Sequence, residues 1–296
     1  MPVFTDSHCH FDFAAFDTDR QSLWDACWQA GIRRLIIPGI APSQWQQLPA
    51  LIDSLTGTPP RGGAASGIFY ATGWHPWWLT ATPATGMKLS GGVQSGCAQS
   101  GCDQSDDPAV ISEQIFKDTL ARHSQHPACI AIGECGLDGM IEVPSSLQEK
   151  VLHWHFQMAE ALQLPLILHC RKRHSELLAL IKNYRVRGVI HAFSGSVELA
   201  RQYTDKHFLL GVGGVITWPR ARKTREALRQ VAPEFLLLET DAPDMPLAGF
   251  QGQRNSPLQL PTVARTLAEL RNTSLEQLAV ACEANINRLL FSSPRL

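Results

Sequence analysis

A closed barrel of eight parallel strands with intervening helices, the TIM-type (β/α)8 architecture, is the α/β fold that this sequence predicts. Three observations lead there. Short apolar runs alternate with amphipathic stretches along the chain, the pattern of repeated βα units. Eight such runs can be counted, and five of them end on histidine, glutamate or aspartate. An open sheet would have to gather those five separate ends at one place, whereas a barrel brings all its strand ends to one mouth.

In chain order the strands are expected near residues 3–7, 34–39, 69–73, 129–133, 166–169, 188–191, 208–213 and 235–240. Helical periodicity falls between them, at 20–30, 111–124, 147–162, 176–184 and 222–231, and two further helices close the chain at 258–271 and 275–290. A length of 296 residues suits one barrel domain, residues 1–296. One stretch breaks the pattern. Residues 87–107 are rich in Gly, Ser and Gln, with a near-repeat in Gln94-Ser95-Gly96-Cys97 and Gln99-Ser100-Gly101-Cys102. Such a composition buries little apolar surface and reads as a flexible insertion. Cys97 and Cys102 lack the second pair that would complete a zinc site.

Bulk composition narrows the function classes. The chain is 44% hydrophobic and 18% charged, with a formal net charge of −1, so it has no global attraction to nucleic acid or membrane. Phosphate binding, if present, must be local. No apolar stretch approaches the length of a membrane span, and the N-terminus lacks a basic and apolar leader, so a cytoplasmic location without membrane contact is expected. Eight dispersed cysteines fit buried thiols better than a secreted disulfide framework.

The strand ends carry the chemistry. His8 and His10, in Asp6-Ser7-His8-Cys9-His10, are two residues apart and so leave an extended strand on one face, with Cys9 turned away into packing. Taken alone, a His-x-His pair is more often two hydrogen-bonded side chains than a metal site. Four more candidate ligands downstream reverse that weighing. Glu134 lies between Gly133 and Gly136, which permit a tight backbone path, and its two oxygens suit it to bridge two cations about 3.5–4 Å apart. His169 and His191 each end a run, and Asp241 precedes Ala242-Pro243, where the strand must stop. Asp241 is therefore expected both to hold a metal and to accept a proton from a water whose pKa the cation lowers to about 7. Glu239, two residues earlier, is placed to orient a ligand. Asp138 reads equally as an orienting group and as a turn former.

Substrate contacts are expected beside these ligands. His75, in Gly73-Trp74-His75-Pro76, follows the third strand and faces the mouth. Arg171-Lys172-Arg173 follows His169, and Arg220, Arg222, Lys223 and Arg225 follow the seventh strand. Ser194-Gly195-Ser196 offers backbone N–H groups at a helix start, an anion site. Each cluster alone would be an ordinary solvated cap; together they point to a phosphate-bearing substrate. His123, His126, His153, His155 and His207 lie in helical or linking contexts and read as structural or solvated, while His174, after a basic run, is a weak candidate for touching substrate.

These motifs carry a family resemblance. Asp6-Ser7-His8-Cys9-His10, Gly73-Trp74-His75-Pro76, Gly133-Glu134-Cys135-Gly136-Leu137-Asp138, Leu168-His169-Cys170-Arg171, His191-Ala192-Phe193-Ser194-Gly195 and Glu239-Thr240-Asp241-Ala242-Pro243 resemble, in order, the motifs of TatD-type metal-dependent hydrolases. The tail from Arg254-Asn255 to Asn285-Ile286-Asn287-Arg288-Leu289-Leu290-Phe291 is similar to that family's closing helices. The resemblance implies a site for two divalent ions, with His8, His10, Glu134 and Asp241 on the first and Glu134, His169 and His191 on the second. It also implies phosphodiester cleavage, since several relatives trim DNA from the 3′ end, and hence single-stranded DNA ends as substrate; no protein partner is evident. Zinc is the expected ion for such ligands, with manganese or magnesium as alternatives. Gly139-Met140 departs from relatives that often carry aromatic residues there, which bears on substrate choice more than on chemistry.

Two other readings compete. An amidohydrolase-like amide or ester hydrolase would use the same metals, but such sites often bridge them with a carboxylated lysine, and no lysine ends a ligand-bearing strand here. A non-catalytic metal protein would be expected to offer a closed, cysteine-rich site, unlike the six His, Glu and Asp groups present.

Overall fold

The computed structural model describes residues 2–56, 67–79 and 112–291. The expected insertion at 87–107, with Cys97 and Cys102, lies outside the described residues. The eight expected strands are all present: β1 (Phe4–Asp6), β2 (Ile32–Ile37), β3 (Gly67–Thr72), β4 (Cys129–Asp138), β5 (Leu166–Arg171), β6 (Gly188–Ile190), β7 (Leu209–Val212) and β8 (Leu236–Leu238). They pair in parallel in chain order, β1 to β8. The ring is nearly closed by backbone bonds just past the first and last strands. Ser7 N–H donates to Leu238 O (3.0 Å), Asp241 N–H to His8 O (2.9 Å) and His10 N–H to Ala242 O (2.8 Å).

Helices lie between the strands: α1 (Arg20–Gln29), α2 (Pro42–Trp45), α3 (Leu48–Thr56), α4 (Glu113–His123), α5 (Ser145–Leu162), α6 (His174–Ile181), α7 (Val197–Thr204) and α8 (Arg222–Gln230), with α9 (Leu260–Leu270) and α10 (Leu275–Ile286) at the end. Sequence reading singles out neither α2 nor α3. Their signal is nonetheless present, since Trp45, Leu48, Ile52 and Leu55 recur at helical spacing and are all buried. Pro42 and Pro49 obscure it, although proline is well tolerated in a first turn.

Strand alternation builds two cores. Ile36, Ala71, Ile167, Val189, Leu209 and Leu237 come from six different strands and form one buried cluster with Ile286 and Leu289, so they fill the barrel interior. Their neighbours Leu35, Ile37, Leu166, Leu168, Leu210 and Leu238 belong to the outer core beneath the helices. The C-terminal helix closes the floor. Asn285 Nδ2 donates to Pro233 O (2.7 Å) and Leu236 O (2.9 Å). Arg34, buried in β2, bonds Thr5 Oγ1 (2.9 Å) and Asn287 Oδ1 (2.6 Å) and pairs with Glu283. A buried guanidinium is tolerable only when its donors are matched in this way.

One buried histidine ties the scaffold to the mouth. His155 on α5 accepts the Trp74 N–H at Nε2 (2.9 Å), one residue before His75, and its Nδ1 lies 2.7 Å from Val151 O. These partners place the proton on Nδ1, and burial holds the ring's pKa down to about 4. A folded-state value below the ordinary 6.5 makes this stabilisation complete above pH 6.5 and lost as pH falls through 4. Wild type should therefore lose about 3 kcal/mol more than His155→Gln between those limits, on the linkage of 1.36 kcal/mol per unit. Urea unfolding at stepped pH measures this, and parallel curves for the two proteins would refute it.

Candidate metal centre

The barrel delivers the ligand candidates by distinct local devices. β1 stops at Asp6, so His8 and His10 lie just beyond the strand on which the sequence places them. The chain stays extended there because Cys9 N–H bonds Ile36 O (3.0 Å) while His8 and His10 bond the segment after β8. The alternation therefore survives: both histidines face inward, and Cys9 is buried with its Sγ 3.6 Å from Ala242 O.

β4 runs past its expected end, to Asp138, because its ladder with β5 resumes after an irregularity between Gly133 and Cys135. Glu134 sits in that irregularity, and bulges of this kind re-aim a side chain. The glycines permit it. Gly136 has φ +156, and a Cβ there would lie 1.9 Å from His169 O, so β4 and β5 approach closer than any side chain allows. His75 follows β3, His169 lies in β5, His191 is one residue past β6, and Asp241 follows β8 with φ 57, a left-handed angle that aspartate tolerates.

Glu134 is 2% exposed and is surrounded by five imidazoles. Its Oε2 lies 3.1 Å from His8 Nε2 and 3.9 Å from His10 Nε2. Its Oε1 lies 3.1 Å from His169 Nδ1, 3.3 Å from His75 Nε2 and 3.9 Å from His191 Nε2. Asp241 Oδ1 is 3.6 Å from His8 Nε2 and 3.7 Å from His10 Nε2, and its Oδ2 is 3.5 Å from His191 Nε2. The structure thus gathers all six expected ligands. His8 and His10 lie together with Asp241, and Glu134 with His169. His75, expected only to touch substrate, joins Glu134 and His169, whereas His191 gathers with His8 and Glu239.

Three buried acids stand behind these residues. Asp138 Oδ2 accepts from His169 Nε2 (3.0 Å) and from Trp77 Nε1 (2.8 Å), while its Oδ1 accepts the Met140 N–H (2.8 Å), so it both orients a histidine and forms a turn. Glu239 Oε1 lies 3.1 Å from His191 Nδ1 and accepts the Ala192 N–H (2.6 Å). Asp6 accepts the Thr240 hydroxyl (2.6 Å) and the N–H groups of Thr240 (3.0 Å) and His8 (3.3 Å), fixing the backbone on both sides of the β1 and β8 junction. Sequence reasoning gives Asp6 no such role. Its position two residues before His8, on the same strand face, was the available signal.

Electrostatics follow from burial and crowding. Burial pushes the Glu134 carboxyl up, but His75, His8 and His191 together with the His169 bond hold it well below the ordinary glutamate value. Asp241 is likewise opposed by burial and held low by His191, His8 and His10. Burial drives His10 down to about 3, keeping its ring neutral with one nitrogen bare. Burial also pushes Asp6 up to about 8 against its three hydrogen bonds.

The donor set fits divalent cations. Both nitrogens of His8, Nδ1 of His10 and His191, and Oε2 of Glu239 are buried without a hydrogen bond. Buried polar atoms without a partner are costly, and a site rich in them is satisfied by a bound ion. Three groups of imidazole nitrogen and carboxylate oxygen lie within 4.8 Å, the donors that suit zinc, manganese and magnesium centres.

The expected substrate contacts are less uniform. Arg171 is exposed at the end of β5, beside exposed Lys172. Arg173 is committed to Glu149, Glu176 and Ser145. Ser194 is exposed and pairs its hydroxyl with Thr224 (3.2 Å), while the start of α7 is capped by Ser196. Arg220 lies over the Trp218 ring at 4.4 Å, and Arg225 bonds Ile216 O. His174 bonds Tyr203 and His153 bonds Tyr184.

Eight parallel strands with a His, Glu and Asp cluster at their carboxyl ends define a barrel built for metal-dependent hydrolysis. Residues 5–291 match the model of the TatD-related DNase family, and the chain belongs to that family of metal-dependent hydrolases. It is 33% identical over 295 residues to the uncharacterized metal-dependent hydrolase YjjV of Escherichia coli K12, covering 98% of each chain. The crystal structure of that protein superposes with a TM-score of 0.77 at 31% identity, again over 98% of each chain. A shorter match, 32% identical over 173 residues and covering 55% of this chain and 65% of the other, is to the 3′-5′ ssDNA/RNA exonuclease TatD of Citrobacter rodentium. No helix among the described residues is long and apolar enough to cross a membrane.

The Glu239 contact has a measurable consequence. Groups that orient metal-binding histidines are worth roughly 10- to 100-fold in affinity. Glu239→Gln should weaken zinc binding by that factor in calorimetric titration of chelator-stripped protein, without unfolding it. Unchanged affinity would show that Glu239 does not orient His191.

Proposed function

We propose that this chain is a two-metal phosphodiesterase acting on the 3′ ends of single-stranded DNA. The observation that carries the reading is the division of donors at Glu134. One oxygen faces His8 and His10, the other faces His75, His169 and His191, so one carboxylate could serve as a ligand to each of two cations. Zinc suits the imidazole-rich set, with manganese or magnesium compatible with its carboxylates. His8, His10 and Asp241 would hold one ion with Glu134, and His169 and His191 the other, with His75 within reach of the second.

Bound divalent cations would supply a lowered pKa for water and positive charge against the charge that develops on phosphate. The chain supplies the rest. Asp241 is held ionised by its three histidines and its side chain is 16% exposed, so it can accept a proton from water entering the mouth. Glu134 is too enclosed for that role and serves as a fixed ligand. Arg171 and Lys172 lie on the same face with their charges free to orient phosphate, and exposed Ser194 lies in the loop after β6. The exonuclease name of the Citrobacter relative supports DNA ends as substrate.

Asp241→Asn should retain bound metal while its turnover falls by roughly 10²- to 10⁴-fold, the usual worth of a positioned base. Metal-reconstituted enzyme and 3′-labelled single-stranded DNA provide the assay, with metal content measured in parallel. Glu134→Ala should lose metal and activity together and is the blank. Normal hydrolysis by Asp241→Asn removes the proposed base, and turnover of amides or lactones but no DNA would select the amidohydrolase reading instead.

A further inference from the structure

Beside the cluster, two large apolar side chains face solvent: Trp77 is 41% exposed and Met140 is 58% exposed. Both are tied to one carboxylate. Asp138 Oδ2 receives the Trp77 indole N–H (2.8 Å) and its Oδ1 receives the Met140 backbone N–H (2.8 Å), while the same Oδ2 also receives His169 Nε2 (3.0 Å). The Trp77 ring centroid is 5.5 Å from that of His75, whose Nε2 faces Glu134. Its other neighbour is Trp78, a nearly parallel ring at 6.3 Å that is half-buried against the core. The indole is therefore fixed by its polar edge and flanked by rings, with apolar surface left bare next to the metal ligands.

An aromatic ring held this way is a preformed platform for a flat group. Stacking on it costs little conformational entropy, and base–aromatic stacking is sequence-tolerant because every base has a π-face. A base is separated from its own phosphate by one sugar, so a phosphate at the cluster carries its base to the adjoining rim. A base at a single-stranded end is free to exchange stacking on its neighbour for stacking on protein, whereas a paired one is not.

We propose that Trp77 is the stacking surface for the terminal base of the single-stranded substrate, and that Asp138, which also binds the Met140 N–H, sets its distance from the metal ligands. This specificity-determining role rests on the phosphodiesterase reading above. Two oligonucleotides test it, identical except that one ends in an abasic 3′ nucleotide. Their affinities are measured by fluorescence anisotropy on the metal-loaded Asp241→Asn protein, with and without Trp77→Ala, and cleavage rates on the wild-type background. Trp77→Ala should weaken binding of the base-bearing end roughly 5- to 100-fold and leave the abasic end unchanged. Trp77→Phe, which keeps a ring and drops the N–H, should retain the preference for a base. Equal losses on both ends, or none, would overturn the proposal while leaving phosphodiester cleavage standing. Failure of the metal-loaded wild type to cleave either oligonucleotide would overturn the phosphodiesterase reading and this proposal with it.

Discussion

An ionised carboxylate buried at the centre of five imidazoles is the constraint to which the rest of the chain answers. Glu134 is 2% exposed, yet its neighbours hold its pKa well below the ordinary value despite burial. A charge in that position is tolerated only if positive or polar partners surround it closely. No single strand or helix can supply five such partners, because successive side chains of one strand alternate between faces. The partners must come from different strands, and a closed barrel is the arrangement that brings many strand ends to one point. The outer and inner aliphatic layers are the support for that convergence.

Holding the imidazoles requires a second ring of acids, and it is built with the same economy. Asp138, Glu239 and Asp6 each lie at the end of a different strand, and each bonds a residue of a different segment: His169, Ala192 beside His191, and Thr240. Each bond therefore fixes register between neighbours as well as ring orientation. Burial of these acids would be costly in isolation, as the rise of Asp6 to about 8 shows. The hydrogen bonds offset part of that cost, and a rigid ligand cage is the return, in keeping with the accuracy to which metal and catalytic groups must be placed.

Much of this was legible in the residues, and what was not has physical causes. All eight strands could be found because both of their faces are buried, which leaves continuous apolar runs. The six candidate ligands stood out because polar residues at the ends of such runs are conspicuous. Strand limits were less visible. β4 extends to Asp138 because Gly133 and Gly136 let it hug β5, a tertiary contact with no local signature. His75 was placed with substrate rather than with Glu134 because spacing says which strand end a residue occupies, but not how far its ring reaches. Asp6 escaped notice for the opposite reason: its partner Thr240 lies 234 residues away. The helices α2 and α3 were hidden by prolines that, at helix starts, do no harm.

The division between strands and loops also separates chemistry from selection. Residues held by backbone bonds, such as Glu134, whose N–H bonds Gly39 O, and His169, in the β4–β5 ladder, cannot move without disturbing the barrel, so they are suited to hold a constant geometry. Trp77 and Met140 lie on the loops that follow β3 and β4, where exposure allows change at little cost to the core. Asp138 joins the two, since one carboxylate contacts His169 on one side and the exposed rim on the other. A substitution at the rim can therefore alter which group is presented to the cluster while Asp138 keeps His169 in place. By contrast, loss of Asp138 would disturb both at once. This asymmetry leaves the His, Glu and Asp cluster fixed in geometry while the rim beside it is free to vary.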